Sequence, residues 1–411
     1  MSDIKVEVDP VEVGMDPKRL SRVDNHFKSY VDKGKLPGWS LLVTRANRVV
    51  HHSNYGFADT ESKMPIESDT LFRIFSMTKP ITSVAAMILF EEGRLELTDP
   101  VSKFIPSYGD LKIFSKGSSN APYLVPAKEP MRIWHLLSHT SGLTYGFHYA
   151  HPVDAIYRSS GYEWGVPKGF DLAAAADGFA SMPLLFEPGA EWNYSVSTDV
   201  LGRVVEVVSG MPLDEFFRTR ILDPLGMYDT EFYAAEEDHG RLATLYAKAP
   251  NVDTPVRLDA MGDPFKSKPT YLSGGGGLVS TIGDYHRFTQ MLLQRGEFEG
   301  VRILGSRTVD YMTVNHLPGG QDLKTFGRPL FSESPFDGVG FGLGFSVVID
   351  AAANKNLSSA GQYAWGGAAS TAFWIDPLEE ITVIFMTQLL PSSTYPIRSQ
   401  LGQLIYQSLF D

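Results

Sequence analysis

Ser76-Met77-Thr78-Lys79 sets a hydroxyl and an amine three residues apart. Downstream, Ile81, Val84, Ala85, Ile88 and Leu89 recur at helical spacing, and Gly93 is placed to end the helix. Pro80 is tolerated in a first turn, where its missing amide hydrogen has no intrahelical partner. Ser76 then stands at the N-terminus of a buried helix with Lys79 on the same face, since residues i and i+3 are neighbours. The positive end of the helix dipole favours a developing oxyanion. A lysine in an apolar site has a lowered pKa and can take the serine proton. The ordinary alternative is a capping serine followed by a solvated lysine. A second such string, Ser2 to Lys5 near the N-terminus, shows how easily the spacing arises.

Two further strings bear on the same chemistry. Glu191-Trp192-Asn193-Tyr194-Ser195-Val196-Ser197 precedes a helical stretch from Asp199. A tyrosine there can reach into a cleft and relay a proton to a leaving group, or it is an aromatic core residue, one of 18 tyrosines. Gln362-Tyr363-Ala364-Trp365-Gly366-Gly367-Ala368-Ala369-Ser370 leads into a strand at Thr371. Paired glycines at a strand start let a substrate approach backbone amides, which can form half of an oxyanion hole with the Ser76 amide as the other half. An ordinary β-bulge has the same composition.

These residues need a scaffold drawn from distant parts of the chain. A helix is expected from about Pro17 to Asp32, followed by apolar runs at Trp39–Thr44 and Arg48–Asn54 around Arg45-Ala46-Asn47, a hairpin signal. The far end mirrors it. Thr371–Ile375 and Ile381–Gln388 flank the turn chemistry of Asp376-Pro377-Leu378-Glu379-Glu380, with a third run at Phe341–Asp350 before them and a closing helix at Tyr395–Leu409. The expectation is an α+β fold in which both chain ends, residues 1–100 and 271–411, build one domain. Residues 101–270, with helical stretches at Asp199–Ser209 and Leu213–Thr219, form a mostly helical inserted domain, and the active site lies in the cleft between the two.

The 411 residues are 43% hydrophobic and 20% charged, ordinary for a globular chain, with 36 basic against 48 acidic residues and a net charge of −12. That balance argues against nucleic acid or an anionic membrane as partner. With no cysteine, disulfides, thiolate catalysis and cysteine-based metal sites are excluded. Met1-Ser2-Asp3-Ile4-Lys5 starts no signal pattern, and the apolar run Ile81–Phe90 is too short to span a membrane, so a cytoplasmic location is expected.

Together the strings resemble the serine β-lactamase and penicillin-binding-protein superfamily, and within it the family VIII carboxylesterases, which share the class C β-lactamase fold. Leu71 to Pro80 carries the strongest likeness, joined by Leu95-Glu96-Leu97-Thr98-Asp99-Pro100-Val101, Leu136 to Leu143 and Gly274 to Thr281. The resemblance implies a β-lactamase/transpeptidase-like antiparallel sheet flanked by helices. It implies Ser76 as acylated nucleophile, Lys79 as its partner base, Tyr194 as general base and acid, and the amides of Ser76 and Ala368 as oxyanion hole. Trp365 takes the place of the lysine in Lys-Thr-Gly, and Val196 that of the asparagine in Tyr-x-Asn. Losing a cation and an amide disfavours a β-lactam and disfavours a neutral ester much less. The expected activity is therefore hydrolysis of small carboxylic esters, with Trp365, Gly366, Gly367, Val196 and Tyr145 lining the substrate site and no cofactor or metal. A β-lactamase or D-amino-acid peptidase, an acyltransferase to an alcohol, and an inactive ligand-binding domain stay open as alternatives.

Other residues are expected to be structural. No Gly-x-Ser-x-Gly accompanies His139, which argues against an α/β-hydrolase triad, and no His-Glu-x-x-His accompanies His51-His52. Gly274 to Gly277 lacks the Gly-Lys-Ser/Thr of a phosphate loop and is expected to shape the cleft, while Glu236-Glu237-Asp238 reads as a solvated face. Tyr145, Phe147, Tyr149, Tyr157, Tyr162 and Trp164 lie among glycines, so part of that segment is expected to wall a substrate pocket.

Overall fold

Ala46 and Asn47 both adopt left-handed backbone, with φ of 52° and 60°. That is the geometry of a tight hairpin turn matching the twist of its strands. It joins Gly38–Arg45 (β1) to Arg48–Asp59 (β2), with Met64–Pro65 (β3) at the edge. The computed structural model describes residues 4–410, so the start of the Ser2–Lys5 string lies outside the described residues. From the other chain end come Val339–Phe341 (β4), Ser346–Val348 (β5), Tyr363–Gly366 (β6), Ala372–Asp376 (β7) and Ile381–Met386 (β8). The eight strands form one antiparallel sheet in the order β4-β5-β6-β7-β8-β1-β2-β3. The two ends meet where β1 pairs with β8, Ser40 opposite Met386 and Arg45 opposite Ile381.

Five helices frame the sheet and the site: α1 (Arg22–Asp32), α2 (Thr78–Glu91), α3 (Ser197–Ser209), α4 (Ile282–Leu293) and α5 (Ile397–Tyr406). Alternate residues of a strand point to opposite faces, and here both faces are covered. Leu41, Val43, Val383 and Phe385 join Phe27 of α1 and Leu401 of α5 in one core, while Leu42, Phe373, Ile375 and Ile384 join α2 and α4 in the other. Strands sandwiched in this way read as nearly continuous apolar runs, which is how they stand in the sequence. A buried polar link crosses the second face, where Gln290 Nε2 of α4 donates to Thr44 Oγ1 at 3.0 Å and Thr44 contacts Thr382 at 2.6 Å.

Two expected elements differ. The run Phe341–Asp350 is a hairpin, β4 and β5, rather than one strand: Gly344 has φ 99°, and Gly342 N–H bonds Phe345 O across the turn. The first helix divides at Ser21 into Pro17–Leu20, capped by Asp16, and α1. Between the halves of the sheet, residues 101–270 hold helices and also a β-hairpin, Lys112–Ser118 with Ala121–Pro126.

Phe385 sits where the terminal halves close, fully buried, with its ring 4.9 Å from Phe27 and 6.1 Å from Trp39. Phe385→Ala is expected to lower unfolding stability by about 3–5 kcal/mol, read as a reduced urea midpoint with unchanged slope.

Candidate active site

Ser76 lies in a short 3-10 turn, Phe75–Met77, that runs directly into α2. The residue before it, Phe75, is held at φ 43°, a conformation unfavourable for a bulky side chain and stored where neighbours over-determine it. Those neighbours are tight. Ile74 N–H bonds Leu278 O, Tyr285 donates to Met77 O at 3.0 Å, and Leu278 N–H donates to Thr78 Oγ1. Upstream, the buried Arg73 donates to Ala243 O at 2.6 Å and Gly262 O at 2.7 Å. Helix α2 itself is buried from Thr78 through Leu89, as expected of a helix apolar on all sides.

Lys79 comes round one turn onto Ser76. Its Nζ is 3.2 Å from Ser76 Oγ and donates to Gly275 O at 2.6 Å. Tyr194 OH also reaches Ser76 Oγ, at 2.5 Å, so the serine oxygen accepts from two groups at once. Ser76 is 9% exposed, Lys79 and Tyr194 2% each. Burial pulls the Lys79 ammonium down to about 8, with Asp199 and Glu333 opposing the shift. Burial, reinforced by the negative charge of Glu333, pushes the Tyr194 phenol far above its ordinary range, so the phenol is a proton donor at neutral pH.

Tyr194 is held by the segment around His139. Asn193 N–H bonds His139 O, and Asn193 Nδ2 donates to Leu143 O at 2.9 Å. A buried chain of hydroxyls continues behind it: Ser195 to Ser197 and Ser197 to Ser141, each at 2.7 Å. His139 contacts Ser195 at 3.3 Å rather than Ser76, and its ring packs 5.2 Å from Tyr194. Burial holds its imidazole neutral, which fits a packing role. Val196 is buried where α3 begins, its carbonyl accepting from Asp199 N–H.

The strand end at Trp365 completes the wall. The Trp365 ring lies 5.4 Å from Tyr194. Its buried indole N–H has no partner at hydrogen-bond geometry. A Cβ on Gly366 would collide with Arg398, and one on Gly367 with the Ile74 carbonyl, so the glycines let the turn press against the Ser76 segment. Gly367 N–H is spent on Thr371 O, whereas the amides of Ala368 and Ser76 donate to no acceptor among the described residues. Tyr145 packs 5.1 Å from Tyr194 and stacks on Phe147, which stacks in turn on the exposed Trp164. Tyr157 and Tyr162 instead pack in the core with Phe179.

Sequence reasoning missed Asp199, Glu333 and Arg398. Asp199 is buried and accepts from Ser273 Oγ at 2.6 Å and Gly275 N–H at 3.1 Å, fixing the loop whose Gly275 carbonyl receives Lys79. An acidic residue in the first turn of a helix was the available signal. Glu333 and Arg398 pair across 65 residues, and no local spacing marks such a pair.

The family model described as Beta-lactamase matches residues 23–406. Protein Rv1367c of Mycobacterium tuberculosis is 36% identical over 371 residues, covering 89% of each chain. Esterase EstB of Burkholderia gladioli is 29% identical over 399 residues, covering 92% of this chain and 93% of its own. Among solved structures, EstCE1, described as a hydrolase with promiscuous acyltransferase activity, superimposes with a TM-score of 0.80 at 29% identity, over 95% of this chain and 99% of its own.

A Cβ on Gly275 would stand 2.5 Å from Asp199 Oδ2. Gly275→Ala is expected to shift the carbonyl that holds Lys79 and to lower kcat by on the order of 10²-fold, the usual penalty of a small misplacement, with the circular dichroism spectrum unchanged.

Proposed function

The chain belongs to the Beta-lactamase family, and on that premise we propose that it hydrolyses small carboxylic esters of short acyl chain through an acyl-enzyme on Ser76. It is a serine hydrolase of that superfamily with esterase relatives. The observation that carries the finer reading is the convergence of Lys79 Nζ and Tyr194 OH on one serine oxygen. Lys79, neutral in part at mildly alkaline pH, takes the Ser76 proton as Oγ attacks the ester carbonyl. The carbonyl oxygen, now anionic, lies against the otherwise unused amides of Ser76 and Ala368. As the tetrahedral intermediate collapses, Tyr194 gives its proton to the departing alkoxide and is restored from the Lys79 ammonium. Water then enters, Lys79 and Tyr194 repeat the cycle, and the acid leaves. No step calls for a metal or cofactor.

The apolar wall of Tyr145, Tyr194 and Trp365 supports a neutral ester over a β-lactam or D-amino-acid peptide. An alcohol can intercept the same acyl-enzyme in place of water, and EstCE1 is described as a hydrolase with promiscuous acyltransferase activity. The proposed partner is a small-molecule ester, and the net charge of −12 supports leaving nucleic acid and anionic membranes aside. No helix among the described residues is long and apolar enough to cross a membrane, and action in the cytoplasm belongs to the same proposal.

With p-nitrophenyl butyrate, wild-type protein is expected to turn over while Ser76→Ala falls to background with its fold retained; activity surviving in the variant would move the nucleophile elsewhere. The base works only when unprotonated, and burial lowers its pKa. The kcat/KM profile should therefore be low below pH 7 and rise with pH through about 8. A flat profile from pH 6 to 9 contradicts Lys79 as the base.

A further inference from the structure

The segment before β4 brings a second polar group to the site. Glu333 is 3% exposed, and its Oε2 accepts from Arg398 and from Ser392 Oγ at 2.9 Å. Arg398 Nη1 donates to the Glu333 carbonyl at 2.8 Å, and its Nη2 reaches Gly367 O at 3.3 Å and Thr371 O at 3.2 Å. The pair is therefore clamped onto the turn that carries the Ala368 amide. Two residues earlier, Phe331 packs 6.5 Å from Phe147, so the same segment borders the aromatic wall. The other carboxylate oxygen, Glu333 Oε1, is buried and has no protein partner. Its charge is felt at both Lys79 and Tyr194, more strongly at Tyr194 than that of Asp199. A buried carboxylate oxygen without a donor is costly, and a site built around one favours a ligand that supplies the donor.

Resting on the ester-hydrolase reading, we propose that Glu333 Oε1 accepts a hydrogen bond from a hydroxyl carried by the ester within a few bonds of its carbonyl, and so selects hydroxy esters over their alkyl isosteres. The same arrangement disfavours an anionic substrate. Arg398, the cation packed against Gly366, is already neutralised by Glu333, and the free oxygen next to it repels a carboxylate. The polar recognition absent at Trp365 and Val196 is thus supplied from another part of the chain, with the opposite preference.

Three methyl esters test this by pH-stat on the whole protein: methyl 3-hydroxybutanoate, its isostere methyl 3-methylbutanoate, and monomethyl succinate. Wild type is expected to favour the hydroxy ester over the isostere by roughly 10- to 100-fold in kcat/KM, the range for a hydrogen bond to a charged acceptor, and to handle the succinate poorly. In Glu333→Gln the hydroxyl preference should shrink while monomethyl succinate gains relative to the isostere, because Arg398 is released. A folding defect lowers all three rates together and cannot move those two ratios in opposite senses. Equal rates for hydroxy ester and isostere in wild type overturn the inference alone, whether or not the variant folds. Turnover of none of the three overturns the esterase reading beneath it. Ratios unchanged in a folded Glu333→Gln assign the carboxylate to structure.

Discussion

Everything at the centre depends on keeping an amine dry beside a serine. Lys79 is buried to 2% exposure, and water's loss favours its neutral form. The ion is not left without support, since Nζ still donates to Gly275 O and feels Asp199 from beyond the loop. That balance sets its pKa near the working range of an enzyme instead of at either extreme. Tyr194 is tuned by the same dryness in the other sense: a buried phenol keeps its proton, and its nearest use for that proton is Ser76 Oγ.

The rest of the molecule explains how three side chains from two segments hold that geometry. The 3-10 turn at Ser76 and the helix α2 that continues it present Ser76 and Lys79 one turn apart, and the burial of α2 on every side fixes its rotation. The segment 139–143 carries Tyr194 through backbone and hydroxyl contacts, and α3 supplies Asp199 to the glycine-rich loop. The β6–β7 turn leans on the Ser76 segment because Gly367 has no side chain. All of these rest on a sheet that exists only when the chain ends come together at β1 and β8. Local motifs carry the chemistry, and long-range pairing gives it a fixed place to occur.

Legibility in the sequence followed the same division. Ser76, Lys79 and Tyr194 stand in short strings whose residue types already suggest proton transfer, and they meet at one oxygen. The paired strands at each end showed as apolar runs around turn residues, although Gly344 bent one run, Phe341–Asp350, into a hairpin. Glu333 was silent because its segment, Ser332-Glu333-Ser334-Pro335, has no periodicity and its partner lies on α5. Asp199 reads as an ordinary first-turn acid until the fold sets Ser273 and Gly275 against it. A carboxylate whose role is set by tertiary neighbours leaves no spacing to find.

The central claim is that one serine oxygen, activated by its two partners, becomes acylated. Brief incubation with diethyl p-nitrophenyl phosphate, which forms a stable adduct on activated serines, followed by intact-mass and peptide mapping, tests it directly. The account predicts a single phosphoryl group per chain, on the peptide containing Ser76, formed in step with loss of ester hydrolysis. A label on another hydroxyl, such as Ser141 or Ser195, or full inactivation with Ser76 unmodified, would contradict it.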